Sequence, residues 1–309
     1  MKSGKSRTAE KANSEKLKAL QHAARSAATH RSYGQAVEHF RKAGHDIPAS
    51  AKEVATYLAD HAGRLAVSTL QHRLIAVHRA HLDAGLKSPA MDPLVKRTMQ
   101  GIRRTYGVAQ RRVKALVKDD LLEVLALVDK QNPMKAARDR ALLLVGFAGA
   151  FRRSELVSLR IEEVTYFENG MELLLRRSKT DQEGASRTVF VPKARGERCP
   201  VKALLQWLEL YGAEAGPLFP SINRHDKVVR ASLSPQSVAL LLKEAVRRAK
   251  GQRAADDFSA HSLRAGFVTS AAEAGLQPYQ IRDVTGHRSD VTLAKYIRPV
   301  QRRRIPSLL

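Results

Sequence analysis

One cysteine, Cys199, in 309 residues leaves no disulfide framework and no thiolate zinc site, and it suits a reducing compartment. Nowhere does an apolar run continue long enough to span a bilayer, and the opening MKSGKSRTAEKANSEK is basic and polar without an apolar signal core. A soluble, cytoplasmic chain with no membrane partner is therefore expected. There is no Walker-type loop and no carboxylate cluster suited to two metals, so neither a nucleotide cofactor nor a metal is expected. Acidic residues are scarce: 30 Asp and Glu stand against 54 Lys and Arg, a formal charge of +24. Such an excess calls for a polyanionic partner, nucleic acid first. Composition alone would equally suit a ribosomal protein or a solvated surface, so motifs have to decide.

The length exceeds one compact core and favours two domains. Residues 1–14 have no apolar stripe and read as a flexible basic tail. From 15 to 106 the pattern is helical. Ser50 and Glu53 form a capping box ahead of Val54, Tyr57 and Leu58; Leu70, Leu74 and Val77 make one helix face that Gly85 should end; and Asp92-Pro93 opens a helix with Val95, Met99 and Ile102. Residues 107–116 are weakly periodic and cationic, as a linker on nucleic acid would be. From 117 to 309 a second domain is expected. In it, a helix starts at Asp119 or Asp120, an apolar helix covers Ala141 to Ala148, and a hairpin joins Met171–Arg177 to Thr188–Val191. Helices are expected to resume from Val201, with Trp207 in the core.

Four pieces of the second domain carry chemistry: Arg152 in GAFRRSEL, Lys179 in RSKTDQEG, His261 and Arg264 in HSLR, and His287 and Tyr296 in GHRSDVTLAKY. Three residues apart on a helix, His261 and Arg264 share a face. Together these groups fit in-line transfer at a DNA phosphodiester. Two guanidinium forks hold the non-bridging oxygens where charge grows. Two histidines donate hydrogen bonds or take the nucleophile's proton, a lysine protonates the leaving 5′ oxygen, and a tyrosine attacks. Because a phosphotyrosine keeps the bond energy, rejoining needs neither ATP nor metal. Singly, each group has a plain structural reading; Arg152 would pair with Glu155, and Arg176, Arg177 and Lys193 compete with Lys179.

In order and spacing these pieces resemble the boxes of the tyrosine site-specific recombinase, or phage integrase, family. The resemblance assigns Arg152, Lys179, His261, Arg264 and His287 as catalytic, Tyr296 as nucleophile and Glu155 as a supporting acid. AATHRSYGQAVEHF, PASAKEVATYL and STLQHRLIAVHRAHLDAG are similar to the family's core-binding domain, in a Cre-like or Xer-like style. One departure lies before the first arginine, where the family has a small residue, Gly and Leu or Met, and this chain has Gly149-Ala150-Phe151. What the resemblance implies is a mainly α fold with a small β-hairpin or three-stranded sheet in the catalytic domain. A helical, SAM-like core-binding domain would complete a two-domain, C-shaped DNA clamp. The implied partners are double-stranded DNA with a specific recombination site and a homo-tetramer on two such sites, monomeric or weakly associated when free and at the nucleoid. Competing functions are a type IB topoisomerase and a DNA-binding regulator that does not cut.

Base reading is expected from Thr69, Gln71, His72 and Arg73, and backbone contact from Arg103, Arg104, Arg111 and Arg112. The closing VQRRRIPSLL either docks on a neighbouring protomer through Ile305, Leu308 and Leu309 or binds DNA through Arg302, Arg303 and Arg304.

Overall fold

A computed structural model describes residues 15–17, 19–20, 23–107, 113–176, 186–287, 293–294 and 297. The chain divides into two compact units, Met1–Arg111 and Arg112–Leu309.

The first unit is a helical bundle: α1 (Ala27–Lys42), α2 (Ala51–Asp60), α3 (Val67–Asp83) and α4 (Pro93–Tyr106). Its starts follow the local chemistry. Ser50 accepts from the Glu53 amide while the Glu53 carboxylate accepts from the Ser50 amide, and Asp92 accepts from the Leu94 amide with Pro93 in the first turn. Phe40, Tyr57, Leu58, Leu70, Val77, Val95 and Met99 fill the core. Around that core runs a polar web of histidines. His39 meets the Tyr57 hydroxyl at 3.0 Å, buried His81 accepts from the Ala49 amide, and His78 bonds Ser88 at 2.8 Å.

The second unit opens with an extended run, 113–117, that lies along a later helix: the Lys114 amide donates to Asp257 O and the Leu116 amide to Ser262 O. Residues 113–116, placed by sequence within the linker, are thus part of this packed unit. There follow α5 (Lys118–Val128), α6 (Pro133–Ala148) and α7 (Arg153–Ser158). The first of these starts one residue before Asp119, so Asp119 and Asp120 sit in its first turn, where the helix dipole favours them. Strands β1 (Val164–Phe167), β2 (Gly170–Leu175) and β3 (Arg187–Pro192) form an antiparallel sheet in that order, Leu175 paired with Arg187. Alternation puts Leu173, Leu175, Val189 and Val191 on the core face.

After α8 (Pro200–Tyr211), which buries Trp207, the expected helical run is interrupted by a hairpin, β4 (Pro220–Ile222) with β5 (Val228–Ser232). Its turn has a local cause. The Asn223 carbonyl side chain accepts from the His225 and Lys227 amides, Asp226 takes a left-handed φ of 57°, and the Asp226 carboxylate caps α6 at the Met134 and Lys135 amides. Then come α9 (Pro235–Lys250), α10 (Gln252–Asp257), α11 (His261–Glu273) and α12 (Pro278–Thr285). Leu116, α5, α6, the sheet, α8 and α9 share one core; Val268, Ala271 and Ala272 of α11 form another with Ile281, Leu293 and Ile297. At Gly266 a Cβ would lie 1.8 Å from Leu116 O, so only glycine lets the 113–117 segment lie against α11.

Candidate active site

Three connections of the second unit converge on one cluster. The turn from α6 into α7 brings Arg152, with buried Phe151 anchoring it. One turn on, Glu155 is 1% exposed and accepts from the Arg152 amide at 2.9 Å and from Arg152 Nη1 at 2.5 Å. A buried carboxylate needs such pairing. The pairing foreseen in the plain reading of Arg152 is present, and it fixes the guanidinium.

The start of α11 carries His261 and Arg264. Arg264 is 2% exposed, an unusual place for a guanidinium, and its Nη1 donates to Ala150 O at 2.8 Å. That carbonyl belongs to a non-glycine residue with φ of 48°. The departure from the family's Gly therefore places an alanine in left-handed backbone, a strain of about 1–2 kcal/mol, at the carbonyl that holds Arg264.

His287 follows the left-handed Gly286 that ends α12. The hydrogen bonds determine its tautomer. Thr285 Oγ1 donates to Ile281 O at 2.8 Å, so toward His287 Nδ1, 2.7 Å away, it can only accept. The proton of the neutral ring is then on Nδ1, and Nε2 accepts from Arg264 Nη2 at 3.3 Å. Burial, with Arg264, Arg152, His261 and Arg187 close by, pushes this imidazole down to about 4. His261 is shifted the same way, by withdrawal from water and then by Arg264 and Arg152. Both rings are neutral near pH 7.

Arg187, absent from the sequence expectations, completes the cluster. It reaches from β3 to Glu155, Nη2 to Oε2 at 3.7 Å, and donates from Nη1 to Val284 O at 3.1 Å. No local signal marks it, since an arginine opening a strand ordinarily reads as solvated. Three guanidinium groups, two of them paired with Glu155, against one carboxylate leave the described cluster with an excess of positive charge. A phosphodiester, and still more its doubly negative transition state, is the anion that such a hole stabilises. Tyr296 and Lys179 lie outside the described residues. Leu293 and Ile297, on either side of Tyr296 in sequence, are buried against α11 and α12.

Of the residues expected to read bases, Gln71 is exposed, whereas His72 bonds Ser32 at 2.9 Å and Arg73 bonds His39 and the Tyr57 hydroxyl, both inside the bundle. Thr69 is half-buried, Arg103 and Arg104 are exposed in the last turn of α4, and Arg111 and Arg112 lie outside the described residues.

Residues 114–303 match the family described as Phage integrase. An integrase/recombinase xerD homolog of Selenomonas ruminantium is 36% identical over 258 residues, 82% of this chain and 74% of that protein. The chain belongs to the phage integrase family. Enzymes of this family are tyrosine recombinases, which cleave and rejoin DNA. The recognition made from the motifs is borne out. The fold agrees. The XerH site-specific recombinase bound to palindromic difH substrate, a post-cleavage complex, aligns at TM-score 0.62 with 20% identity, covering 86% of this chain and 74% of that one. A lambda integrase tetramer bound to a Holliday junction aligns at 0.60 with 15% identity, covering 88% and 72%. The mainly helical fold with small antiparallel sheets is that of this integrase family. Among the described residues no helix is long and apolar enough to cross a membrane.

Proposed function

We propose that this integrase recombines specific DNA sites by attack of Tyr296 on a phosphodiester held between Arg152 and Arg264, with a 3′-phosphotyrosyl intermediate and a Holliday junction. The observation that carries the reading is the convergence of Arg152, Glu155, His261, Arg264 and His287, drawn from three separate connections, on one excess of positive charge. The phosphate's non-bridging oxygens take the two forks. His287 Nε2, which faces Arg264 Nη2, takes up a proton from solvent as the phosphate's negative charge arrives and then donates to it. The phenol's proton passes to a neighbouring neutral histidine or to solvent, and Lys179, assigned by motif, protonates the departing 5′ oxygen. The reverse steps, with a partner strand's 5′ hydroxyl as nucleophile, rejoin the DNA without a cofactor.

Double-stranded DNA with a specific site is the substrate, handled in the cytoplasm by a homo-tetramer on two sites; the solved lambda integrase tetramer on a Holliday junction supports that assembly. Exposed Arg103 and Arg104 supply backbone contacts. The test is covalent capture. A pool of nicked duplexes with randomised arms is incubated with the protein, and DNA that stays attached in denaturant is sequenced. A converged site with inverted arms is expected. Failure to form any adduct contradicts the reading, and relaxation of supercoiled plasmid without sequence preference replaces it with a topoisomerase.

A further inference from the structure

Arg187, like Arg264, ties together separate pieces of the site. It opens β3, opposite Leu175 in the register, so it sits at the base of the hairpin whose connecting residues include Lys179 in sequence. From there its guanidinium reaches two separate groups. Nη1 donates to Val284 O in the last turn of α12, 97 residues away and three before His287. Nη2 lies 3.7 Å from Glu155 Oε2, the same carboxylate oxygen that accepts from the Arg152 amide. The guanidinium also packs on Gly286: a Cβ there would meet Arg187 Cζ at 3.0 Å, Nε at 3.1 Å and Nη1 at 3.2 Å, in backbone with φ of 61°. The left-handed turn that delivers His287 is thus both shaped for glycine and lined by Arg187. Finally, Nη2 is buried without a hydrogen-bond acceptor among the described residues, at a length from Glu155 too great for a formed bond. A fork so placed is not optimised for packing; leaving one of its donors unmet is unfavourable, and the gain lies in spanning two elements.

We infer that Arg187 is a positioning residue for strand cleavage, a strut that sets His287 through the end of α12 and Arg152 through Glu155. It acts on the phosphate through those two residues. A lysine replaces it poorly, because a single nitrogen lacks the spread of the planar fork whose two ends face Val284 O and Glu155. Displacing a reacting group by a fraction of an ångström to an ångström slows a reaction by up to about 100-fold, which sets the scale of the effect.

This inference rests on the cluster being the cleavage site. The test uses the full-length protein, the nicked duplex recovered by covalent capture, and two variants, Arg187→Ala and Arg187→Lys. Arg187→Ala is expected to lower the single-turnover cleavage rate at saturating DNA by about 10- to 100-fold, with DNA affinity changed by less than about twofold. In the free protein, histidine-detected NMR should show the His287 ring titrating at higher pH, because a cation and the packing on Gly286 are both gone. Loss of the cation alone raises that titration whatever the role, so the decisive readout is Arg187→Lys, which keeps the charge: a lowered rate at unchanged DNA affinity marks positioning. Arg187→Lys also serves should Arg187→Ala fail to fold: a rate lowered by about 3- to 10-fold is expected, and a wild-type rate with wild-type His287 titration overturns the inference. Equal cleavage by Arg187→Ala and wild type overturns it as well. In both cases the loss of adduct in Tyr296→Phe still stands as the separate check on the proposed function, so the two failures are distinguishable.

Discussion

The arginines of the second unit's cluster are held differently from the exposed arginines of the first unit. In the first, Arg103 and Arg104 are exposed on the last turn of α4, and Arg41, paired with Asp46, is 53% exposed. In the second, Arg264 is 2% exposed and held by a strained carbonyl, Arg152 is clamped by buried Glu155, and Arg187 bridges two elements. An exposed cation is easily placed and contributes phosphate affinity without geometry. A buried one requires built partners, and what those partners provide is a fixed hole for charge that has yet to develop. On the proposed function, affinity and catalysis are divided between these two kinds of arginine.

Removing a fork from each unit should separate them most widely. Arg264→Ala is expected to slow strand cleavage at saturating DNA by about 10²–10³-fold while affinity changes little. Replacing Arg103 and Arg104 by alanine should weaken binding to all sequences alike and lower the log–log salt slope by about 1 per residue, with cleavage at saturation affected far less. Equal effects of the two variants on cleavage would erase the distinction. Arg138, also buried but paired with Asp139 and the Pro220 carbonyl, is the arginine whose loss should damage the fold of the second unit rather than the chemistry.

A second contrast concerns histidine. In the bundle the rings bond hydroxyls and backbone, with His39 also meeting Arg73, whereas His287 and His261 sit among the several arginines of the cluster. His287 titrates near 4 against an ordinary 6.5. Below 6.5 the unfolded chain takes up a proton that the folded one refuses, so this pair's contribution to the stability of the second unit is present at neutral pH and is lost as pH falls toward 4. Thermal melts at descending pH check the direction, and His287→Gln should flatten part of the loss. Bound DNA should raise the His287 titration.

How much of this was legible before the structure depends on range. His261 and Arg264 are three residues apart, so their shared helix face was readable locally, as were the capping box at Ser50 and the cap at Asp92. Arg187 was not, since its meaning lies in a carboxylate 32 residues back and a carbonyl 97 residues on. The β4–β5 hairpin was missed for another reason: its strands are short, and the Asn223–Asp226 turn that makes it was the available signal. The family's usual glycine before Phe151 was noticed as missing, but only the backbone shows that Ala150 keeps the glycine conformation. The smallest expected effect follows from that. Ala150→Gly should stabilise the second unit by about 0.5–1 kcal/mol, the strain relieved exceeding the added chain entropy, measured by denaturant unfolding.

The central claim is that the cluster serves a tyrosine nucleophile, and one measurement bears on it directly. Protein trapped on the nicked duplex is digested, and the peptide still joined to DNA is sequenced by mass spectrometry. The account predicts a single 3′-phosphate link at Tyr296, absent from Tyr296→Phe. A link at any other residue, or an adduct that persists in Tyr296→Phe, would contradict it.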